Sequence, residues 1–197
     1  YINFSSGAIF GQTIRSPISE LSQASINVNK LNEGSYYAIS KIYAEIKHRN
    51  LKNMNIVDLR IFSFFSRFIN LQDEFLIADI TNAIKLNKKF ITDKNEIIRD
   101  YIHPEDLFEI IQKCIKKEKI NMALDISSKK PISKFSLLKH LAKKYELNYR
   151  ISNKIKTSPT GLKSKYYSKS KKIEDLGIFP KYTSLQTILT ELKFLID

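Results

Sequence analysis

The sequence predicts an α/β protein in which short apolar strands alternate with amphipathic helices. Residues 55–62 carry Val57, Leu59 and Ile61 in one uninterrupted run, which is typical of a strand buried in a parallel sheet. Helical periodicity recurs between such runs. Pro104 stands where a first helical turn favours proline, and the acidic residues behind it suit the positive end of the helix dipole.

The elements follow in chain order from periodicity, caps and turn residues. A strand ends near Ser5, residues 7–32 form mostly loop, and a helix begins at Ser35. Ser133 is an N-cap residue type, and Gly177 is a helix terminator. The predicted helices cover residues 35–52, 73–86, 104–117, 133–145, 170–176 and 184–195. The predicted strands cover residues 1–5, 55–62, 90–92, 97–99, 122–126 and 149–152, and residues 157–167 form a lysine-rich loop.

Composition limits the classes of protein. At 197 residues with 43% hydrophobic content, the chain has room for a real core in one domain, or in one domain and part of another. The single cysteine, Cys114, allows no intrachain disulfide and fits a reducing, cytoplasmic setting. No apolar run approaches the length of a membrane span, so a membrane partner is not expected.

The net charge of +13 raises the alternative of nucleic-acid binding. The lysines are spread along the chain, however, and the dense stretches at 113–119 and 163–172 lack interleaved stacking aromatics apart from Tyr166 and Tyr167. We therefore expect no nucleic-acid partner and assign the positive field to an anionic small substrate. The alternative would show as steeply salt-dependent retention on a polyanion.

Tyr37 and Lys41 stand four residues apart on a predicted helix and so share one face. A free phenol titrates near pH ~10, and a neighbouring cation favours the phenolate and lowers that pKa. Ser6, at the carboxyl end of the first strand, is placed to hold a substrate hydroxyl. The three groups suit hydride chemistry at a carbinol carbon, although a Tyr-x-x-x-Lys pair also arises by chance on helix surfaces.

Four segments, in order, resemble the extended short-chain dehydrogenase/reductases in the nucleotide-sugar epimerase/dehydratase branch. The similarity runs from Tyr1 to about Thr187, and the last segment is the most specific. The segments are Asn3-Phe4-Ser5-Ser6-Gly7-Ala8-Ile9-Phe10-Gly11, Tyr36-Tyr37-Ala38-Ile39-Ser40-Lys41, Leu59-Arg60-Ile61-Phe62-Ser63 and Arg99-Asp100-Tyr101-Ile102-His103-Pro104-Glu105-Asp106-Leu107.

The resemblance implies the C-terminal part of a Rossmann-type doubly wound parallel sheet and a small α/β subdomain. Residues 1–65 would belong to the NAD(P)-binding domain with its catalytic set. Residues 66–197 would mainly bind the nucleotide sugar, with residues 89–120 partly returning to the sheet. The family is dimeric, commonly through two long helices per subunit, and the Tyr37 helix is a candidate for that interface.

Residue roles also follow from the resemblance. Ser6, Tyr37 and Lys41 would be catalytic, and Tyr37 and Lys41 would contact NAD or NADP together with Phe62. The nucleotide sugar would contact Ser6 and two further residues, Ser63 and Arg99, with the Arg99 guanidinium on the diphosphate. No metal is expected.

Departures from the family narrow the activity. Dehydratases commonly carry Asp and Glu after the catalytic residue, and this chain has Gly7 and Ala8, which have no titratable group. We therefore predict a C4 epimerase acting through a 4-keto intermediate, with an NADPH-dependent 4-ketosugar reductase as the alternative. Ser66 and Arg67 stand where Gly-Pro is usual, which leaves the local turn open.

The dinucleotide-binding loop of the family is not in the sequence. None of the five glycines forms a Gly-x-x-Gly-x-x-Gly motif, and the chain begins at Tyr1. We interpret the chain as a fragment that alone is inactive and binds NAD or NADP more weakly than micromolar. A non-catalytic remnant or interaction module is the alternative from another class.

Overall fold

The computed structural model describes residues 1–153 and 163–196. In chain order the elements are β1 (Ile2–Ser6), α1 (Glu33–Asn50), β2 (Ile56–Ile61), β3 (Ser63–Phe64), α2 (Leu76–Lys85), β4 (Phe90–Asp93), β5 (Ile98–Arg99), β6 (Tyr101–Ile102), α3 (Pro104–Ile115), β7 (Asn121–Ile126), β8 (Ile132–Ser133), α4 (Lys134–Tyr145), β9 (Tyr149–Ser152), β10 (Lys165–Tyr166), α5 (Lys172–Asp175) and α6 (Ser184–Ile196).

The main sheet is parallel, with the strand order β1-β2-β7. Ser6 pairs with Ile61, and Ile61 pairs with Ile126, so the three strands end together at one edge. This edge is where parallel α/β sheets place their ligands. The predicted α/β class and the parallel arrangement are confirmed.

The start of α1 is fixed by a reciprocal cap. The Asn32 side chain accepts a hydrogen bond from the Ser35 N–H, and the Ser35 hydroxyl accepts one from the Asn32 N–H. The helix therefore begins two residues earlier than predicted. Ser35, Ala38 and Glu45 lie on its buried face, while Tyr36 and Tyr37 are exposed.

Two large hydrophobic cores support the fold. One lies on the main sheet, where Leu59 and Leu124 pack with Ile110 of α3 and Ile173 of α5. The other joins α2, α4 and α6 through residues that include Phe65, Ile80, Leu138, Leu141 and Leu192.

The strand that returns to the main sheet is β7, just beyond the 89–120 segment for which the sequence predicts a partial return. The domain bounds stay a prediction.

One predicted loop is wrong in part. Lys165 and Tyr166 form β10, which pairs in parallel with Ile98 and Arg99 of β5. The Ile98 N–H donates to the Ser164 carbonyl oxygen at 2.7 Å, and this long-range pairing has no local sequence signal. Residues 157–162 of that loop lie outside the described residues.

The other helix boundaries lie within three residues of the predicted ones, and the largest difference is at α2, which begins at Leu76 and not at residue 73. Pro104 begins α3, Ser133 caps α4 through the Ser136 N–H, and Gly177 follows α5 with a φ of 72°. None of the helices within residues 1–153 and 163–196 has the length and apolar character to cross a membrane.

Candidate active site

Ser6 occupies the last position of β1 and caps the short 3-10 turn Gly7–Phe10. Its Oγ accepts a hydrogen bond from the Ala8 N–H at 3.1 Å and lies 3.4 Å from the Tyr166 hydroxyl. Ser6 is buried, at 8% exposure. A serine with two partners at the end of a parallel strand has a defined orientation.

Lys41 and Tyr37 meet on α1 as their spacing predicts. The Lys41 ammonium lies 5.5 Å from the centroid of the Tyr37 ring. It also donates to the Phe4 carbonyl oxygen at 2.7 Å, two residues before Ser6. Because Tyr37 is 53% exposed, its phenol is accessible to a ligand. The structure thus brings the Tyr37 helix face to the end of β1 where Ser6 lies.

Tyr166 of β10 was missed by sequence reasoning and lies at the centre of this region. It is buried, and its ring contacts Phe62 with 5.0 Å between centroids. The Arg99 guanidinium carbon lies 5.7 Å from the ring centroid and the Lys163 ammonium 4.6 Å from it. Burial raises the pKa of Tyr166 to about 12. The hydrogen bond with Ser6 lowers this pKa in part, and the charge of Tyr37 raises it further.

Arg99 and Lys163 place two cations beside Tyr166. The Arg99 Nη1 donates to the carbonyl oxygens of Ile98 and Lys163, at 3.0 and 2.7 Å. Burial lowers the pKa of Arg99, and burial together with the Arg99 charge lowers the pKa of Lys163 to about 8. In the described part of the chain neither side chain takes part in a salt bridge, so the pair is electrostatically suited to an anion.

Ser63 and Phe62 follow β2 at the same edge. Ser63 pairs with Tyr101 across β3 and β6, which places it close to the Arg99 segment. The Phe62 side chain is buried in a small core with Phe10 and Tyr166, so it packs behind the residues that line the candidate site. A Cβ at Gly7 would lie 2.6 Å from two Phe62 ring carbons. The predicted ligand contacts of Ser63 and Phe62 stay predictions.

Arg60 forms a structural ion pair next to the site. Its guanidinium contacts the Glu45 carboxylate at 2.6 Å and Asp125 at 3.3 Å. Burial lowers the pKa of Arg60, but its bonds to Glu45 and the charge of Asp125 outweigh this and raise it above the ordinary value.

The Arg99–Asp106 block is held by backbone contacts. The Asp100 carboxylate accepts from the Ser128 N–H at 3.0 Å, and the Asp106 carboxylate accepts from the Lys181 and Tyr182 N–H groups. Asp100 therefore orients the backbone at Ser128.

His103 and Arg67 complete this scaffold. His103 Nδ1 accepts the Glu105 N–H at 3.1 Å, and the ring stacks on Tyr182. Arg67 binds Glu191 through its backbone N–H and its guanidinium. This anchors the turn that departs from the usual Gly-Pro. No group of three or more His, Cys, Asp or Glu suited to a metal occurs among the described residues.

A family model described as NAD dependent epimerase/dehydratase family matches residues 1–126. No curated protein matches the chain significantly in sequence. Many solved structures share its fold. UDP-N-acetylglucosamine 4-epimerase from Methanobrevibacter ruminantium M1, in complex with UDP-N-acetylmuramic acid, is similar with a TM-score of 0.79 and 16% identity, covering 99% of this chain and 62% of its own.

Two further structures carry a dinucleotide. RMD from Pseudomonas aeruginosa, complexed with NADPH, has a TM-score of 0.77 and 17% identity, over 98% of this chain and 65% of its own. MoeE5 in complex with UDP-glucuronic acid and NAD has a TM-score of 0.76 and 14% identity, and the match covers 98% of this chain and 63% of MoeE5. The chain thus spans less than two thirds of each of these proteins, and the likeness establishes its Rossmann-like fold.

Proposed function

Because the chain belongs to the NAD-dependent epimerase/dehydratase family, we propose that its protein is a nucleotide-sugar C4 epimerase acting through a 4-keto intermediate. The observation that carries the proposal is the convergence of the Tyr37–Lys41 face of α1 with Ser6 at the end of β1. The side chains of Gly7 and Ala8 carry no group for the elimination step of a dehydratase.

Each of the three side chains has a defined task. Tyr37 takes the proton of the sugar C4 hydroxyl and later returns one to the same oxygen. The Lys41 ammonium, 5.5 Å from the ring centroid, stabilises the phenolate. Ser6 donates a hydrogen bond to the C4 oxygen and holds it beside Tyr37. General acid-base transfer of this kind contributes typically ~10²–10⁴ in rate.

The residues present fit the nicotinamide end of NAD or NADP. Lys41 has three N–H donors, and the hydrogen bond to Phe4 uses one of them, so two are left for a ligand beside the exposed Tyr37. We assign Tyr37 and Lys41 to contacts with the nicotinamide ribose, and Phe62 to packing beside the same part of the dinucleotide. When bound, the dinucleotide would accept the C4 hydride and return it.

The substrate is proposed to bind by its diphosphate. Arg99 and Lys163 supply two adjacent positive charges in a partly desolvated setting, where charge-assisted hydrogen bonds to phosphate oxygens are strong. Arg99 Nη1 is committed to backbone carbonyls, so a bidentate contact would use the Nε edge. Ser63 would contact the sugar nucleotide from β3.

We also propose a homodimer through α1. Its outward side presents Tyr36, Tyr43 and Ile46, each about three fifths exposed. A contiguous apolar helix face of this kind is a typical protein interface. Size measurement of the Ile46→Glu variant would test it, with a shift from dimer to monomer expected and an unchanged dimer excluding this interface.

The activity is tested on the full-length protein with UDP-glucose and UDP-N-acetylglucosamine. We expect the C4 epimer to appear by NMR with NAD retained and not consumed. Stoichiometric consumption of NADPH with a 4-ketosugar would instead establish the reductase. Absence of turnover with every substrate and both cofactors would favour the non-catalytic module.

A further inference from the structure

The hydrogen-bonding capacity of Ser6 can be counted. A serine hydroxyl has one proton to donate and two lone pairs. One lone pair accepts the Ala8 N–H at 3.1 Å. The Tyr166 hydroxyl, 3.4 Å away, either donates to the second lone pair or takes the Ser6 proton. In the second case Ser6 would have no proton left for a substrate oxygen, so the direction of this one bond decides whether Ser6 can act.

The surroundings of Tyr166 favour donation to Ser6. Its side chain is buried against Phe62, and two cations, Arg99 and Lys163, lie at its ring and can donate but cannot accept. Burial keeps the phenol protonated at neutral pH, with a pKa of about 12. The Tyr166 hydroxyl therefore keeps its proton, and among the described residues the Ser6 oxygen is the hydrogen-bond partner that it faces.

We propose that Tyr166 is a positioning residue that donates its hydroxyl proton to Ser6 and so directs the Ser6 proton to the C4 oxygen of the substrate. The inference rests on the proposed function, since it needs a substrate oxygen in front of Ser6. It adds to the Ser-Tyr-Lys set a second tyrosine that comes from a separate segment of the chain.

The position of Tyr166 also links the reacting end of the substrate to its anchor. Tyr166 pairs with Arg99 across β10 and β5, and Lys163 lies three residues before it. A ligand held by Arg99 and Lys163 therefore sits on the segment that orients Ser6. Loss of the Tyr166 hydroxyl should disturb turnover, while binding through the two cations is retained.

The test compares Tyr166→Phe with Tyr167→Phe in the full-length protein. Tyr167 is the adjacent residue, and the contact the structure gives it is through its backbone oxygen to the Ile18 N–H. We expect Tyr166→Phe to lower kcat about tenfold, as for a lost hydrogen bond near 1.4 kcal/mol, with KM nearly unchanged. We expect Tyr167→Phe to match the wild type. Equal kcat values for the two variants would overturn the inference.

A double-variant cycle shows whether Tyr166 acts through Ser6. Ser6→Ala with Tyr166→Phe should be no slower than Ser6→Ala alone, because the second change then has no hydroxyl to orient. Multiplying losses would show that Tyr166 acts independently and would overturn the inference. A wild-type protein without turnover would overturn the proposed function and the inference together, whereas an active wild type with an unaffected Tyr166→Phe variant overturns the inference alone.

If Tyr166→Phe fails to fold, a fluorotyrosine at position 166 keeps the shape and the hydroxyl while making the phenol more acidic. An ionised phenol cannot donate to Ser6, so the alkaline limb of the kcat profile should move to lower pH than in the wild type. An unmoved alkaline limb would mean that the residue serves packing only, which contradicts the inference.

Discussion

The Arg60 guanidinium donates two hydrogen bonds to the Glu45 carboxylate, from Nη2 to Oε2 at 2.6 Å and from Nε to Oε1 at 3.0 Å. The same carboxylate accepts the hydroxyl of Ser5, the residue before Ser6. Arg60 also reaches Asp125 of β7. This pair therefore ties α1, which carries Tyr37 and Lys41, to all three strands of the main sheet at the edge where the site lies.

Removal of one partner of this pair should be costly. Arg60→Met leaves Glu45 as a buried, uncompensated charge, and we expect a loss of about 3 kcal/mol in the free energy of unfolding, measured with urea. The double variant Arg60→Met with Glu45→Leu should recover part of the loss, since Asp125 is then the one buried carboxylate of the group left without Arg60. A double variant as unstable as the single one would argue against a net electrostatic cause.

Tyr37→Phe should abolish most turnover while leaving the fold intact. The side chain is half exposed, so the thermal midpoint should stay within the range of ordinary surface changes. We expect kcat to fall by roughly 10²–10⁴ because the acid-base group is lost. Tyr36→Phe, one residue away and also exposed, is the matched control. Comparable kcat values for the two variants would remove Tyr37 from the mechanism.

Binding of a diphosphate should be coupled to proton uptake at Lys163. Its pKa of about 8 lies below the ordinary 10.5 because of burial and the Arg99 charge, so part of the lysine is neutral near pH 8. Bound phosphate favours the charged form and raises the pKa again. Titration calorimetry with UDP in buffers of different ionisation enthalpy should show uptake of a fraction of a proton at pH 8.

Two lysine variants check that assignment. Lys163→Met should eliminate the uptake, while Lys165→Met, at an exposed neighbour, should retain it. Uptake that persists in Lys163→Met would place the titrating group elsewhere.

Asp100 should make stability depend on pH. Burial raises its pKa from 3.8 to about 6, against the hydrogen bonds from Ser128 and Ser184. The folded state thus holds a proton between about pH 4 and pH 6 that the unfolded state has released. The contribution is fully present below pH 4 and is lost as the pH rises through 6, by about 3 kcal/mol in total.

Asp100→Asn should therefore flatten the dependence of unfolding free energy on pH between 4 and 7. The amide oxygen can still accept the Ser128 N–H. Asp175→Asn, at an exposed position, should leave the wild-type slope unchanged. An unaltered slope in Asp100→Asn would assign that pH dependence to other groups.

Local signals in the sequence account for most of the framework. Pro104, Ser133 and Gly177 mark helix ends by backbone chemistry that acts within a few residues, and the structure places those ends accordingly. The apolar run at residues 55–62 gives a buried strand for the same reason. The two-residue strands β3, β6 and β10 are not predicted from the sequence, because pairing with distant residues defines them and they are too short to show periodicity.

The residues of the candidate site also fall into two groups, those that local sequence spacing predicts and those that it does not. Tyr37 and Lys41 are visible because one helical turn connects them. Tyr166 and Lys163 reach the site through bridges to Ile14 and pairing with Arg99, which join residues more than 60 positions apart. A lysine-rich stretch with a tyrosine gives no local sign that its phenol will be buried beside Ser6.

The contact between Gly7 and Phe62 limits how this protein could change its chemistry. Any side chain at position 7 would begin 2.6 Å from a ring that is itself wedged between Phe10 and Tyr166. A carboxylate side chain at position 7 would therefore require the Phe62 ring to move. A smaller residue at position 62 would provide that room, and it would also remove the ring that packs against Tyr166 beside Ser6.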